Sequence, residues 1–144
     1  VDLAPLLEGL KHPNPGLRAT AAMELRELGP AARPATPALA EALKDRSLNV
    51  RYWAATALAA IGPDAREAVP ALLAALRTVP DPKAPLDGPL RYYPDLRAVS
   101  AEALGAIGPA ARAALPALRQ ALEDEHPDVR AAAQAAITKV EGSR

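Results

Sequence analysis

Cysteine is absent from the 144-residue chain. Disulfides, a thiolate nucleophile and any cysteine-based zinc site are therefore excluded. Phe is absent too, and the aromatic content is one Trp (Trp53) and three Tyr (Tyr52, Tyr92, Tyr93). With β-branched residues also scarce, little remains from which to build a sheet. Charge of one sign is missing as well. Lys plus Arg and Asp plus Glu each number 17, and residues 1–72 already hold eight of each kind. A duplex or membrane binder draws most of its affinity from a basic stripe, so no nucleic-acid or membrane partner is expected. No apolar run approaches the roughly 18 residues of a membrane helix, and nothing at the start reads as a signal peptide. The cytoplasm is the favoured compartment. The chain does not begin with Met, and is expected to be a processed or excised piece of something larger, or an engineered chain.

What is present is alanine and leucine. Half of the chain is apolar, and these two supply nearly all of it. Such a core requires backbones to approach closely, which helices with Ala on their facing sides permit.

Comparison of the chain with itself is decisive. The segment from Val50 to Pro63, with Arg51, Ala54, Ala55, Leu58, Ile61 and Gly62, matches Leu17 to Pro30 and Leu96 to Pro109; a fading fourth copy starts at Val129. Arg18, Arg51, Arg97 and Arg130 are spaced 33, 46 and 33 residues apart, and Pro37, Pro70 and Pro116, like Leu43, Leu76 and Leu122, keep the same 33 and 46. The unit is therefore 33 residues, with one 13-residue insertion between the second and third copies.

Each unit reads as two helices, A and B. In the second, Val50, Ala54, Ala57, Leu58 and Ile61 fall within roughly 100° of one another on a helical wheel, a single apolar face. Helix A starts are signalled by Asn14-Pro15, Ser47-Leu48, Tyr93-Pro94 and His126-Pro127. Asn14 and Ser47 are cap residues, Pro at the first position loses no hydrogen bond, and Asp95 and Asp128 suit the helix dipole. Gly29, Gly62 and Gly108 end the A helices, each followed by Pro. Pro37, Pro70 and Pro116 either begin helix B or kink its first turn. The expected fold is all-α, a right-handed α-α superhelix of about eight helices. Its parts are a half repeat at 1–12, repeats at 13–44, 45–77 and 93–123, a terminal half repeat at 124–140 and an insertion loop at 78–92. Stacking buries what a lone hairpin leaves exposed.

The run Val-Arg-x-x-Ala-Ala-x-Ala-Leu-x-x-Ile-Gly-Pro-x-Ala-x-x-Ala-x-Pro-Ala-Leu, from Val50 to Leu72, resembles the bacterial HEAT repeats called phycobilisome-lyase-like. The resemblance covers the chain except Thr78 to Tyr92. It implies a HEAT-like solenoid, in a family with bilin-attaching lyase subunits and scaffolds; a related superhelix serves as a DNA-repair glycosylase. Two departures stand out: Gln134 replaces the second Ala in the last repeat, which also lacks the Gly-Pro turn, and the insertion lies outside the consensus.

The column Arg18, Arg51, Arg97 and Arg130 is expected to be structural rather than an anion ladder, since half-buried Arg must be paired; Asp95, Asp128 and neighbouring helix ends are the expected partners. Gly29, Gly62 and Gly108 are structural turn residues. Partner contacts are expected from Tyr52, projecting on the convex side, and from the insertion, with Leu86, Leu90, Tyr92 and Tyr93. Trp53 is expected between units. The concave B-helix face (Pro34, Ala38, Glu41; Glu67, Ala71, Ala74; Ala113, Ala117, Gln120) is bland. His12 and His126 stand too far apart to share a metal, and no catalytic set, phosphate loop or cofactor motif is seen. The chain is accordingly expected not to be an enzyme, but a protein-interaction or scaffold module. Alternatives are a solenoid segment that self-assembles end to end, its N-terminal face the stickier, or a HEAT-like enzyme subunit of the bilin-lyase or glycosylase type.

Overall fold

A computed structural model of the chain describes residues 2–78 and 96–142. They form an all-α right-handed solenoid of stacked helix pairs: α1 (Ala4–Gly9), α2 (Pro15–Leu28), α3 (Thr36–Ala42), α4 (Leu48–Ile61), α5 (Val69–Leu76), α6 (Leu96–Ile107), α7 (Leu115–Ala121) and α8 (Pro127–Glu141). The long helices α2, α4, α6 and α8 pack in sequence, each on the next, while α3, α5 and α7 form the second layer.

The helices are less separate than the sequence suggests. 3-10 segments Gly29–Ala35, Gly62–Ala68 and Gly108–Ala114 join α2 to α3, α4 to α5 and α6 to α7 with no coil between. Counted as joined helical runs, the described residues hold five (α1, 15–42, 48–76, 96–121 and α8) rather than eight. The cause is the Gly-Pro pair. Gly29, Gly62 and Gly108 take φ of 58°, 78° and 80°, and ψ at the first two is −134° and −141°. Only glycine enters that region without steric cost. The Pro that follows, its φ already helical and its missing N–H no loss, opens the next turn at once. Pro37, Pro70 and Pro116 lie in the first turn of α3, α5 and α7, so they begin helix B rather than kink it.

Helix starts follow the cap signals. Asn14 Oδ1 accepts from Gly16 N at 2.8 Å, Ser47 Oγ from Val50 N at 3.4 Å and His126 Nδ1 from Asp128 N at 3.2 Å. The core repeats as the sequence does. Leu25, Leu58 and Leu104 of the A helices and Leu39, Leu72 and Leu118 of the B helices are fully buried at equivalent positions, as are Ala22, Ala55 and Ala101.

The two end faces turn polar at the positions that touch a neighbour inside the stack. Glu24 is exposed where Ala57, Ala103 and Ala136 are buried, and Gln134 is exposed where Ala22, Ala55 and Ala101 are buried. The N-terminal end is mixed: Leu3 and Leu10 are buried and Leu6 and Leu7 half-buried, with Leu17 and Met23 exposed.

Candidate functional site

The chemistry of the described surface concentrates on the edge formed by the turns that lead from each B helix to the next A helix. Position 12 of the chain has repeat equivalents at 45, 78 and 124, occupied by His12, Asp45, Thr78 and Asp124. His12 Nδ1 accepts from Asn14 N at 3.0 Å, Asp45 Oδ1 from Ser47 N at 2.9 Å and Asp124 Oδ1 from His126 N at 2.9 Å. The same side-chain role, closing a tight turn by capping the second N–H onward, recurs in these turns.

The arginine column staples one turn to the next. Arg18 donates from Nε and Nη2 to Asp45 at 2.8 and 3.0 Å, and from Nη1 to the carbonyls of His12 and Pro13 at 2.8 and 3.1 Å. Its guanidinium thus bridges the turn before α2 and the turn before α4. Arg97 pairs with Asp124, and Arg130 Nη1 donates to the carbonyls of Asp124 and Glu125 at 2.7 and 3.1 Å. The carboxylate partners differ from those the sequence suggested. Asp128 faces His126 and Asp95 lies outside the described residues, whereas Asp45 and Asp124 hold Arg18 and Arg97 from 27 positions onward. A signal for this existed, because Asp45 and Asp124 keep the spacing of the other repeat markers.

Arg51 breaks the pattern. Its partner position is Thr78, exposed, whose Oγ1 donates to Ala74 O. Arg51 Nε and Asn49 Oδ1 are buried side-chain atoms with no hydrogen-bond partner among the described residues.

Burial raises the Asp45 carboxyl. The Arg18 hydrogen bond, the Ser47 N–H and the charges of Arg18 and Arg51 outweigh it and hold the group below its ordinary 3.8. A carboxyl so depressed contributes stability in full above the unfolded value, lost as pH falls through the folded value. Asp45→Asn is expected to cost about 1–2 kcal/mol at neutral pH, and to flatten the loss of stability below pH 3.8. Urea titrations of both proteins between pH 2.5 and 7 would check this; an equally steep acid limb in the variant would refute it.

Two open clefts lie along this edge. One of about 690 Å³ is bordered by Pro13, Pro15, Arg18, Lys44, Asp45, Arg46 and Ser47. The other, of about 390 Å³, is bordered by Leu76, Arg77, Thr78, Arg97, Ala117, Gln120, Ala121 and Asp124. Both are open and lined about equally by polar and apolar surface, unlike the enclosed apolar pockets of small-molecule sites. No cluster of metal-binding side chains occurs among the described residues.

Tyr52 is half-buried rather than projecting free, edge-on to Trp53 with ring centroids 5.1 Å apart. Its repeat equivalents Ala19 and Ala98 are buried, so the position packs toward a neighbouring unit. Trp53 lies under Arg26 of the preceding unit, 5.7 Å from guanidinium carbon to ring. Leu86, Leu90, Tyr92 and Tyr93 lie outside the described residues. Of the expected groove positions, Ala117 is buried and Ala38 and Ala71 half-buried; Glu41, Glu67 and Gln120 are exposed. The sequence reading passed over a second file, Arg33, Arg66 and Arg112, all exposed on the successive 3-10 segments.

The model of HEAT repeats matches residues 3–84 and 91–144. The chain belongs to the HEAT-repeat family. No curated protein matches it. Among solved structures, one engineered protein is 20% identical with a TM-score of 0.74, the match covering 96% of this chain and 62% of that one. A second is 19% identical with a TM-score of 0.72, covering 99% and 38%. This HEAT-repeat chain therefore spans less than two thirds of either engineered protein. The complex of CpcE and CpcF of phycocyanin lyase from Nostoc sp. PCC7120 is 23% identical with a TM-score of 0.63, covering 96% of this chain and 78% of that one. This last likeness corrects the expectation that the chain is not an enzyme. A phycocyanin lyase complex is built on the same fold, so a HEAT-repeat stack without a local catalytic motif does not fall outside the enzymes. The physical reason is that a stack brings together side chains from several units, leaving no compact signature in any one of them. No described helix is long and apolar enough to cross a membrane.

Proposed function

We propose that this HEAT-repeat chain is a protein-binding subunit, or part of one, in an enzyme assembly of the bilin-lyase kind. The observation that carries the reading is the likeness to the CpcE–CpcF complex along 96% of the chain. The architecture supports it: a rigid stack presents one long surface, and long surfaces of this type take protein partners rather than small ligands. On this reading the working parts are the 33-residue units 13–44, 45–77 and 93–123, between half repeats at 1–12 and 124–140. The insertion at 78–92, with Leu86, Leu90, Tyr92 and Tyr93, adds a contact of its own. A nucleic-acid enzyme is less well supported, because acidic and basic residues balance at 17 each and a basic surface carries most nucleic-acid affinity. End-to-end assembly is also less well supported, since stacking would bring Glu24 and Gln134 into a contact that alanines make inside the stack.

The test is size-exclusion chromatography of the chain with a bilin-free phycocyanin subunit, with and without added bilin, read by absorbance in the protein and bilin bands. Comigration with the phycocyanin subunit, or a bilin spectrum altered by the chain, is the expected result. Separate elution with an unaltered spectrum would reject the lyase-assembly reading.

A further inference from the structure

Charges that cancel over the whole chain do not cancel along the edge formed by the B-to-A turns. At one position of the repeat the chain has Lys11, Lys44 and Arg77, and then Glu123. All four are exposed, so the edge changes sign along the stack. Arg46 adds to the basic end, and Glu125 and Asp128 to the acidic end.

The basic end is concave. The cleft of about 690 Å³ is lined by Arg18, Lys44 and Arg46 against one acid, Asp45. That acid is committed, its oxygens accepting from Arg18 and from Ser47 N. Arg18 is thereby neutralised, and Lys44 and Arg46 are left as the cationic excess. Lys44 also meets Glu41 at 3.6 Å, but the two side chains are 70% and 78% exposed, and such a surface pair holds its members weakly.

The acidic end is a tight, convex turn held from within. Asp124 pairs with Arg97 and accepts from His126 N at 2.9 Å. Arg130 Nη1 donates to the carbonyls of Asp124 and Glu125. These contacts leave the side chains of Glu123 and Glu125 exposed. An acidic turn ordered in advance loses little freedom when it docks.

We propose that the basic cleft is a docking site for the acidic turn of a second copy of this chain, with Glu123 and Glu125 of one copy against Lys44 and Arg46 of the other. Charge complementarity selects this occupant. The chain has no formal net charge, so two copies do not repel as wholes, while the opposed local fields orient their encounter. The contact differs from end-to-end stacking, because it uses the side of the solenoid and leaves Glu24 and Gln134 in water. It requires no bilin protein, and its test uses none.

Light scattering behind size exclusion reads the mass. At about 0.01 M salt, where charges act over roughly 30 Å, the expected mass exceeds the 15.0 kDa of one chain. At about 1 M salt, where their reach is about 3 Å, it returns to that value. Lys44→Glu with Arg46→Glu reverses the cleft, and Glu123→Lys with Glu125→Lys reverses the turn. Each double variant alone is expected to self-associate at least about tenfold more weakly, since like charges then face each other. An equal mixture of the two restores opposite signs at the contact and is expected to regain the mass. Arg66→Glu with Arg112→Glu, the same change in net charge made away from this edge, is expected to keep the association that the cleft variant loses. A mass of one chain at low salt and every concentration would overturn the proposal. So would a mixture that stays monomeric although circular dichroism shows both variants folded.

Discussion

Replacing Leu58 with Ala is expected to lower the unfolding free energy by about 2–5 kcal/mol. Leu58 is fully buried in the middle of α4, and α4 is held on both sides, by α2 and by α6. A helix clamped between two neighbours has no free direction in which to collapse onto a cavity, which places the cost toward the upper part of that range. The stack adds a second consequence. Its stability is close to a sum of unit and interface terms, so weakening the central unit loosens the coupling between the two ends as well. Urea denaturation followed by circular dichroism would measure it, with a half-buried end residue, Leu7→Ala, as the comparison. A loss at Leu58 no larger than at Leu7 would contradict the account.

Gly105→Ala tests packing against propensity, because the two predict opposite signs. In an isolated helix the change stabilises by about 1 kcal/mol. In this protein a Cβ on Gly105 would stand 2.9 Å from Ala136 Cα and 3.2 Å from Ala136 Cβ. The first of these is backbone, so relief requires α6 and α8 to move apart along their whole contact. The expected outcome is a net loss of about 1–3 kcal/mol, as for overpacking elsewhere. The equivalent position in the second unit is Ala59, half-buried, where the Cβ is accommodated. A thermal melt showing Gly105→Ala equal to or above the parent would show that the α6–α8 spacing is adjustable and the argument mistaken.

Particular residues show where the sequence was legible. Markers that skip by the same interval, such as Arg18, Arg51 and Arg97 or Leu25, Leu58 and Leu104, reveal the repeat because stacking imposes one environment on every copy. Asn14 and Ser47 reveal helix starts because capping is a local hydrogen bond, decided within three residues. The joining of the A and B helices was less legible: Gly-Pro signals an interruption, but whether a coil or a 3-10 turn follows depends on the dihedrals on both sides. The half-burial of Tyr52 against Trp53 was not legible, because a helical wheel separates inward from outward but does not say which lateral face meets the next unit. The carboxylate that meets Arg18 is not marked by proximity in the chain, because Asp45 comes from the turn that opens the next unit.

By itself, the sequence determined the all-α class, the repeat, the helix boundaries at the caps and glycines, and the buried leucine and alanine positions. All of these rest on local backbone preferences or on the 3.6-residue period, which operate within one unit. Only the tertiary structure decided which carboxylate meets Arg18 and Arg97, how closely α6 approaches α8 at Gly105, and that Arg51 Nε is buried without a hydrogen-bond partner among the described residues. Those features depend on the rise and rotation from one unit to the next, and that geometry is set by the packing of all the units together.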